Sequence, residues 1–274
     1  MKNKSLLIYA LALLCMLASC KDDDNFTLSP SHLLTFSVDT IDIDTVFSNV
    51  PTTTKSFWVY NRSGDGIRCK NVRLENGGAT GFRVNVDGQY LGQLADFAIT
   101  DIEIRNKDSV RVFVELTSPE NGQLEPQLCQ DNLIFTLESG VEQKVNLSAY
   151  TWDAVKYTDL HVSKDSLISS LQKPIIIYGG IEVDSGATLS IAAGTTLYFH
   201  NDAGMAIHGT LKTLGRPGSE VVLRGDRIDH MFDYLTYDRV PGQWQGLHFY
   251  ASSYENELTY TDIHSAYNGV IADS

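Results

Sequence analysis

The chain has 274 residues, 43% of them hydrophobic and only seven of them proline, so most of it is expected to fold, with length enough for two domains. Its formal charge of −13 argues against nucleic acid as a partner and against broad contact with an anionic membrane surface.

The first segment reads as a leader. Lys2 and Lys4 precede an almost wholly apolar run at residues 6–17, and the small residues Ala18 and Ser19 lead into Cys20. Basic, apolar, then small is the layout of a secretory signal peptide, and the run is too short to cross a bilayer core of about 30 Å as a helix. Leu17-Ala18-Ser19-Cys20 resembles the lipobox of bacterial lipoproteins. The resemblance implies that residues 1–19 are removed and that Cys20 carries acyl chains such as palmitate. Loss of Lys2 and Lys4 then takes the formal charge from −13 to −15. Lys21-Asp22-Asp23-Asp24 resembles the export signal that Bacteroidota place just after the lipidated cysteine of surface lipoproteins. It implies attachment to the outer membrane, facing the cell exterior, with residues 20–33 as an acidic tether.

From residue 34 to 152 the pattern has period two. In "SVRVFVEL", Val110, Val112, Val114 and Leu116 alternate with Arg111, Phe113 and Glu115; "FRVNVDG" and "QKVNLSAY" repeat the rhythm. Such alternation predicts strands with one buried face, and the turns between them (Asn76-Gly77-Gly78, Asp87-Gly88, Ser139-Gly140) predict a β-sandwich. The runs "TTTKSFWVYNRSGDGIRCKNVRL" and "DNLIFTLESGVEQKVNLSAY" resemble immunoglobulin-like modules of bacterial surface and Hydin-like proteins, which implies a spacer without catalysis. Trp58 and Tyr60 are expected as core or cross-strand residues. Cys69 and Cys129 fall in this module and are a candidate disulfide, in a compartment that permits one. Two cysteines without spaced histidines make no zinc site, and no metal is expected.

After Trp152 the rhythm changes. Apolar pairs recur every eight residues at Ile181/Val183, Leu189/Ile191, Leu197/Phe199 and Met205/Ile207, with small turn residues between them. Strands this short need neighbouring coils to close a core, and three per turn give a coil of about 24 residues. "GGIEVDSGATLSIAAGTTLYF" and "GQWQGLHFYASSYENELTYTDIHSA" resemble coils of right-handed parallel β-helix lipoproteins. The overall expectation is all-β: a sandwich, then the start of a right-handed parallel β-helix over residues 153–274. Residues 158–171 are read as a lead-in, with a short capping helix at 165–171. "YNGVIADS" stops in mid-pattern, so the chain is expected to be the front part of a longer protein.

Residues 225–243 interrupt the coils with a long insertion, "GDRIDHMFDYLTYDRVPGQ". Insertions in repeat folds emerge as loops on one face, and rings beside carboxylates suit a sugar. Asp229, Asp233, Tyr234, Tyr237, Arg239 and Trp244 are therefore the candidate binding residues. A structural lid, with Trp244 and the tyrosines packed on the coil, is the competing reading. Asp226, Asp229 and Arg239 could serve a calcium-dependent lyase, but no spacing requires it, and catalytic residues are not identified. His200 and His208, one eight-residue step apart, are read as turn residues without a shared metal. The expected function is binding or scaffolding through the β-helix face, to a glycan or a surface protein. The alternative is a carbohydrate-active enzyme, a polysaccharide lyase or glycosidase, acting on that face; no cofactor is expected apart from its calcium.

Overall fold

The computed structural model describes residues 25–170 and 172–274; the leader, Cys20 and residues 21–24 lie outside the described residues. The first ten strands are β1 (Leu34–Phe36), β2 (Thr40–Phe47), β3 (Lys55–Asn61), β4 (Ile67–Leu74), β5 (Phe82–Val86), β6 (Gln89–Tyr90), β7 (Ala98–Ile104), β8 (Ser109–Leu116), β9 (Gln127–Leu137) and β10 (Glu142–Trp152). They form two five-stranded sheets, ordered β1-β3-β8-β5-β6 and β2-β10-β9-β4-β7. Period two does the work expected of it: Val110, Val112, Val114 and Leu116 all point inward, against Val72, Leu133, Phe135, Val145 and Leu147 of the opposite sheet. Each such side chain contributes about 1.5–3 kcal/mol of transfer free energy. Pairing is antiparallel except between β2 and β10, which run parallel. Trp58 faces outward as a cross-strand residue opposite Arg111, whose guanidinium lies over its ring, and it stacks on Tyr60, which Arg62 covers.

The candidate disulfide does not form. Cys69 pairs with Leu137 at one end of β9, whereas Cys129 lies eight residues away along that strand, opposite Ala149. At about 3.4 Å per residue the two are far beyond the ~7 Å limit for a bridge, and both thiols are free.

The remaining strands are β11 (Val155–Val162), β12 (Ser166–Ile168), β13 (Ile175–Val183), β14 (Thr188–Ala192), β15 (Thr196–Phe199), β16 (Met205–Ile207), β17 (Thr210–Leu214), β18 (Val221–Gly225), β19 (His230–Phe232), β20 (Leu235–Thr236), β21 (Leu247–Phe249), β22 (Glu257–Thr259), β23 (Thr261–Ile263) and β24 (Val270–Ala272). Apart from the β19–β20 hairpin, all of them pair in parallel, in a curled eight-stranded sheet and a four-stranded sheet β12-β14-β17-β22. The eight-residue period sets the geometry. All eight residues of the apolar pairs are buried, and Ile181 pairs with Met205, 24 residues on, after three strands have passed. Leu189 pairs with Leu211 and Leu197 with Leu223, so like residues stack on like through the interior.

Two expectations at the start of this region are corrected. Where a capping helix is expected, Ser166–Ile168 form a strand, β12, in register with β14. Residues 155–162, read in part as a lead-in, are already a strand paired in parallel along β13. The polar sequence VKYTDLHV carries no inward period because β11 is paired on one side only and largely exposed.

Sandwich and coils share a small apolar contact: Phe47, Val50 and Ile176 are buried there, with Trp152, Tyr178, Tyr198 and Ile228 around them. The Phe47 ring meets Tyr198 edge-on, with centroids 4.8 Å apart. Beside it the buried Asp153 carboxylate accepts hydrogen bonds from Ser48 Oγ (2.7 Å), the amides of Asn121 (3.0 Å) and Gly122 (2.7 Å), and Lys173 Nζ (3.3 Å).

Candidate functional site

Each coil bends between two stretches of the curled sheet, and glycines make the inside of the bend. Gly180 has φ +117°, and a Cβ there would come 2.8 Å from the Gly204 carbonyl oxygen; one on Gly204 would come equally close to Gln245. Glycines at 180, 204 and 246 let successive strands stack closely at the bend, and a groove of about 430 Å³ lined by them runs across the coils. Its polar walls are Asp159, His161, Glu182, Asp202, Gln245 and His248, and no lysine or arginine lines it.

Strand register aligns these side chains. His161 pairs with Glu182, Glu182 with Ala206, and Ala206 with His248, forming one outward row. The next residue on each strand (Val162, Val183, Ile207, Phe249) is buried, which locks the outward direction of its neighbours. One step further lies a second outward row, Asp184, His208, Tyr250 and Asp273. Each of its amides donates to the carbonyl of the inward residue one coil back, at 2.9–3.0 Å.

The two rows interact through imidazole and carboxylate. His161 Nε2 lies 2.9 Å from Asp184 Oδ2, and its Nδ1 lies 3.7 Å from Glu182 Oε2. His208 Nε2 lies 3.9 Å from Glu182 Oε1, and its ring stacks on Tyr250 at 4.0 Å. The hydrogen bond to Asp184 and the charge of that carboxylate raise the His161 pKa above its usual value. His248 stacks on the same Tyr250 and pairs with Asp273 at 3.1 Å. The groove therefore offers carboxylates, imidazoles and an amide converging on one concavity, suited to a polar ligand.

The insertion after β18 is built differently. Trp244 is fully buried, stacked on Phe199 at 4.4 Å, and its indole N–H donates to the His264 carbonyl. Tyr237 is buried beneath Arg227, whose guanidinium grips the buried Asp229 at 2.6 and 2.8 Å. Asp226 is bound by His200 at 2.6 Å, and Asp238 by Arg224 and His264. Of the candidate binding residues, Asp229, Tyr237 and Trp244 thus have their polar and aromatic surfaces taken up by internal pairing and packing. Asp233, Tyr234 and Arg239 remain outside, Tyr234 at 85% exposure and stacked on Phe232. The hairpin reaches back to the sandwich, where His230 meets Asp44, Asp229 faces Thr53 and Asp233 lies 3.9 Å from Lys55.

The groove residues escaped the sequence reading. Their only signal is position: each flanks an inward apolar residue, as in "LHV", "IEVD", "AIH" and "LHFY". That signal becomes legible only once β11 is known to be a coil strand.

No protein-family model and no curated protein matches the chain. Among solved structures, part of a family 123 glycoside hydrolase from Clostridium perfringens is similar at 10% identity and a TM-score of 0.30, over 47% of this chain and 26% of that one. A protein of unknown function from Porphyromonas gingivalis is similar at 13% identity and a TM-score of 0.32, over 50% of this chain and 59% of that one. The PapD-like domain of human CEP192 is similar at 10% identity and a TM-score of 0.29, over 50% of this chain and 97% of that one. The chain thus spans about a quarter of the hydrolase, and none of these likenesses carries a function to it.

Proposed function

We propose that the chain is a lipid-anchored, extracytoplasmic glycan-binding protein. Residues 1–19 are its leader, acylated Cys20 its attachment to the outer membrane, and residues 20–33 its tether. An immunoglobulin-like module over residues 34–152 acts as a spacer, and residues 153–274 open a right-handed parallel β-helix that presents the ligand face outward. The observation that carries the reading is the groove of about 430 Å³ at the glycine bends, walled by polar side chains from successive coils. Such walls suit hydroxyl-rich ligands, whereas a protein hot spot would draw on buried aromatic or arginine anchors. Asp159, Glu182 and Asp202 favour a neutral or amine-bearing glycan over an acidic one.

The test is affinity electrophoresis against a panel of neutral polysaccharides. Replacing Gln245 and His248 together by alanine is expected to abolish retardation by the glycan that retards the parent chain. Unchanged retardation, or none for the parent on any glycan, overturns the reading. A glycosidase is the second reading, supported by the three groove carboxylates. It predicts new reducing ends from the retained glycan, lost in Asp202→Asn. The anchor has its own test: Cys20→Ala is expected to move the protein from the membrane to the soluble fraction, and continued membrane attachment refutes it.

A further inference from the structure

We propose that His161, Glu182, Asp184 and His208, on the rim of the groove, form a binding site for one divalent transition metal of the zinc type. One donor atom each from His161, Glu182 and Asp184 lie within 4.8 Å of one another. His208 Nε2, 3.9 Å from Glu182 Oε1, is the imidazole we assign as the fourth donor. Tetrahedral zinc with ligands at about 2.0–2.2 Å places its donors about 3.4 Å apart. The observed spacings, 2.9 Å for His161–Asp184 and 3.9 Å for His208–Glu182, straddle that value.

Three further observations set this cluster apart from scattered surface charge. It is held by backbone, not by a loop: His161 and Glu182 are register partners, and the Asp184 and His208 amides bond to the carbonyls of Val162 and Val183. Stacking on Tyr250 restrains the His208 ring. The ion-pair partners found for Glu182 and Asp184 among the described residues are histidines, with no lysine or arginine between them. Two carboxylates held together with two imidazoles are therefore neutralised by a dication without any competing fixed cation. Donor chemistry names the metal class. Two imidazole nitrogens with two carboxylate oxygens suit zinc or a neighbouring borderline ion, whereas calcium and magnesium prefer an all-oxygen shell.

The site stands independently of the glycan reading, because the metal is titrated with no sugar present. The full chain, purified in detergent and stripped with chelator, is titrated with Zn²⁺ by calorimetry and with Co²⁺ by visible absorption. One equivalent of Co²⁺ with the strong ligand-field bands of a four-coordinate centre, displaced by Zn²⁺, is expected. Glu182→Gln and Asp184→Asn, conservative changes at exposed or half-exposed positions, should each weaken binding by about tenfold or more, and His161→Ala should abolish the bands. His32→Ala, in the segment before β1, should leave both unchanged. Absence of a stoichiometric site, or binding indifferent to Glu182→Gln and Asp184→Asn, overturns the proposal.

Discussion

Single residues in this protein divide by whether their polar atoms are already spoken for. Trp244 illustrates the difficulty of reading an aromatic next to carboxylates as a ligand platform. Its ring closes the interior of the coils against Phe199, and its N–H caps a carbonyl, so nothing remains to offer a sugar. Trp244→Ala is expected to cost about 3–5 kcal/mol of stability, as truncation of a fully buried aromatic does, measured as a lowered midpoint in urea unfolding. An unchanged midpoint would return Trp244 to the list of ligand contacts. Cys69 is likewise spent: burial pushes its thiol up to about 12, so it is neither nucleophile nor metal ligand near neutral pH. Asp153 makes the opposite case, a buried charge retained. Burial alone would push its carboxyl up, but hydrogen bonds from Asn121, Ser48, Gly122 and Lys173 outweigh that and hold it below its ordinary range. A carboxylate depressed by folding adds stability above its unfolded pKa of about 3.9 and loses that contribution as pH falls through the folded value. Asp153→Asn is therefore expected to lower stability at neutral pH and to flatten its decline in acid, measured by thermal melts across pH. Parallel acid limbs in the two proteins would count against this account.

At the scale of elements, the insertion after β18 and the strand β11 show opposite failures of local reading. The insertion has the composition of a binding loop, yet its carboxylates are already paired, Asp229 with Arg227 inside the insertion, and Asp226 with His200 and Asp238 with Arg224 on the coils beneath it. Its hairpin spans from the coils to the sandwich through His230 and Asp44, so it acts as a brace. β11 has the composition of a linker but contributes His161 to the rim of the groove and pairs with β13 over most of its length. Pairing with a preformed parallel edge supplies the strand conformation that its own sequence does not impose. The loss of metal binding in His161→Ala is the element-scale check on this placement, since a linker residue would have no part in a stoichiometric site.

Across the whole molecule, the sandwich and the coils meet at an apolar contact around Phe47 and Ile176, at the buried Asp153 carboxylate, and where the insertion touches Asp44, Thr53 and Lys55. That pairing of a greasy patch with a fully hydrogen-bonded charge orients the two sheet systems with few residues. The glycan-retardation and anchoring experiments belong to this scale, because they ask whether a tethered body presents the groove away from the membrane. Among the described residues no helix is long and apolar enough to cross a bilayer; the proposed acyl attachment at Cys20 rests on its own sequence motif.

Sequence by itself determined the alternating strands of the sandwich and the inward faces of the eight-residue repeat, but not β11 or β12, because periods of two and eight are local properties written by burial. The alternation in "SVRVFVEL" and the pairs from Ile181/Val183 to Met205/Ile207 all face inward as read. Tertiary structure alone decided which outward residues meet. His161 reaches Glu182 across 21 residues, and Ala206 reaches His248 across 42 because an insertion intervenes. Outward positions carry no burial signal, and turn and insertion lengths set the register between coils. The same reason explains the separation of Cys69 from Cys129 along β9: register, which no local pattern encodes, sets the distance between side chains far apart in sequence.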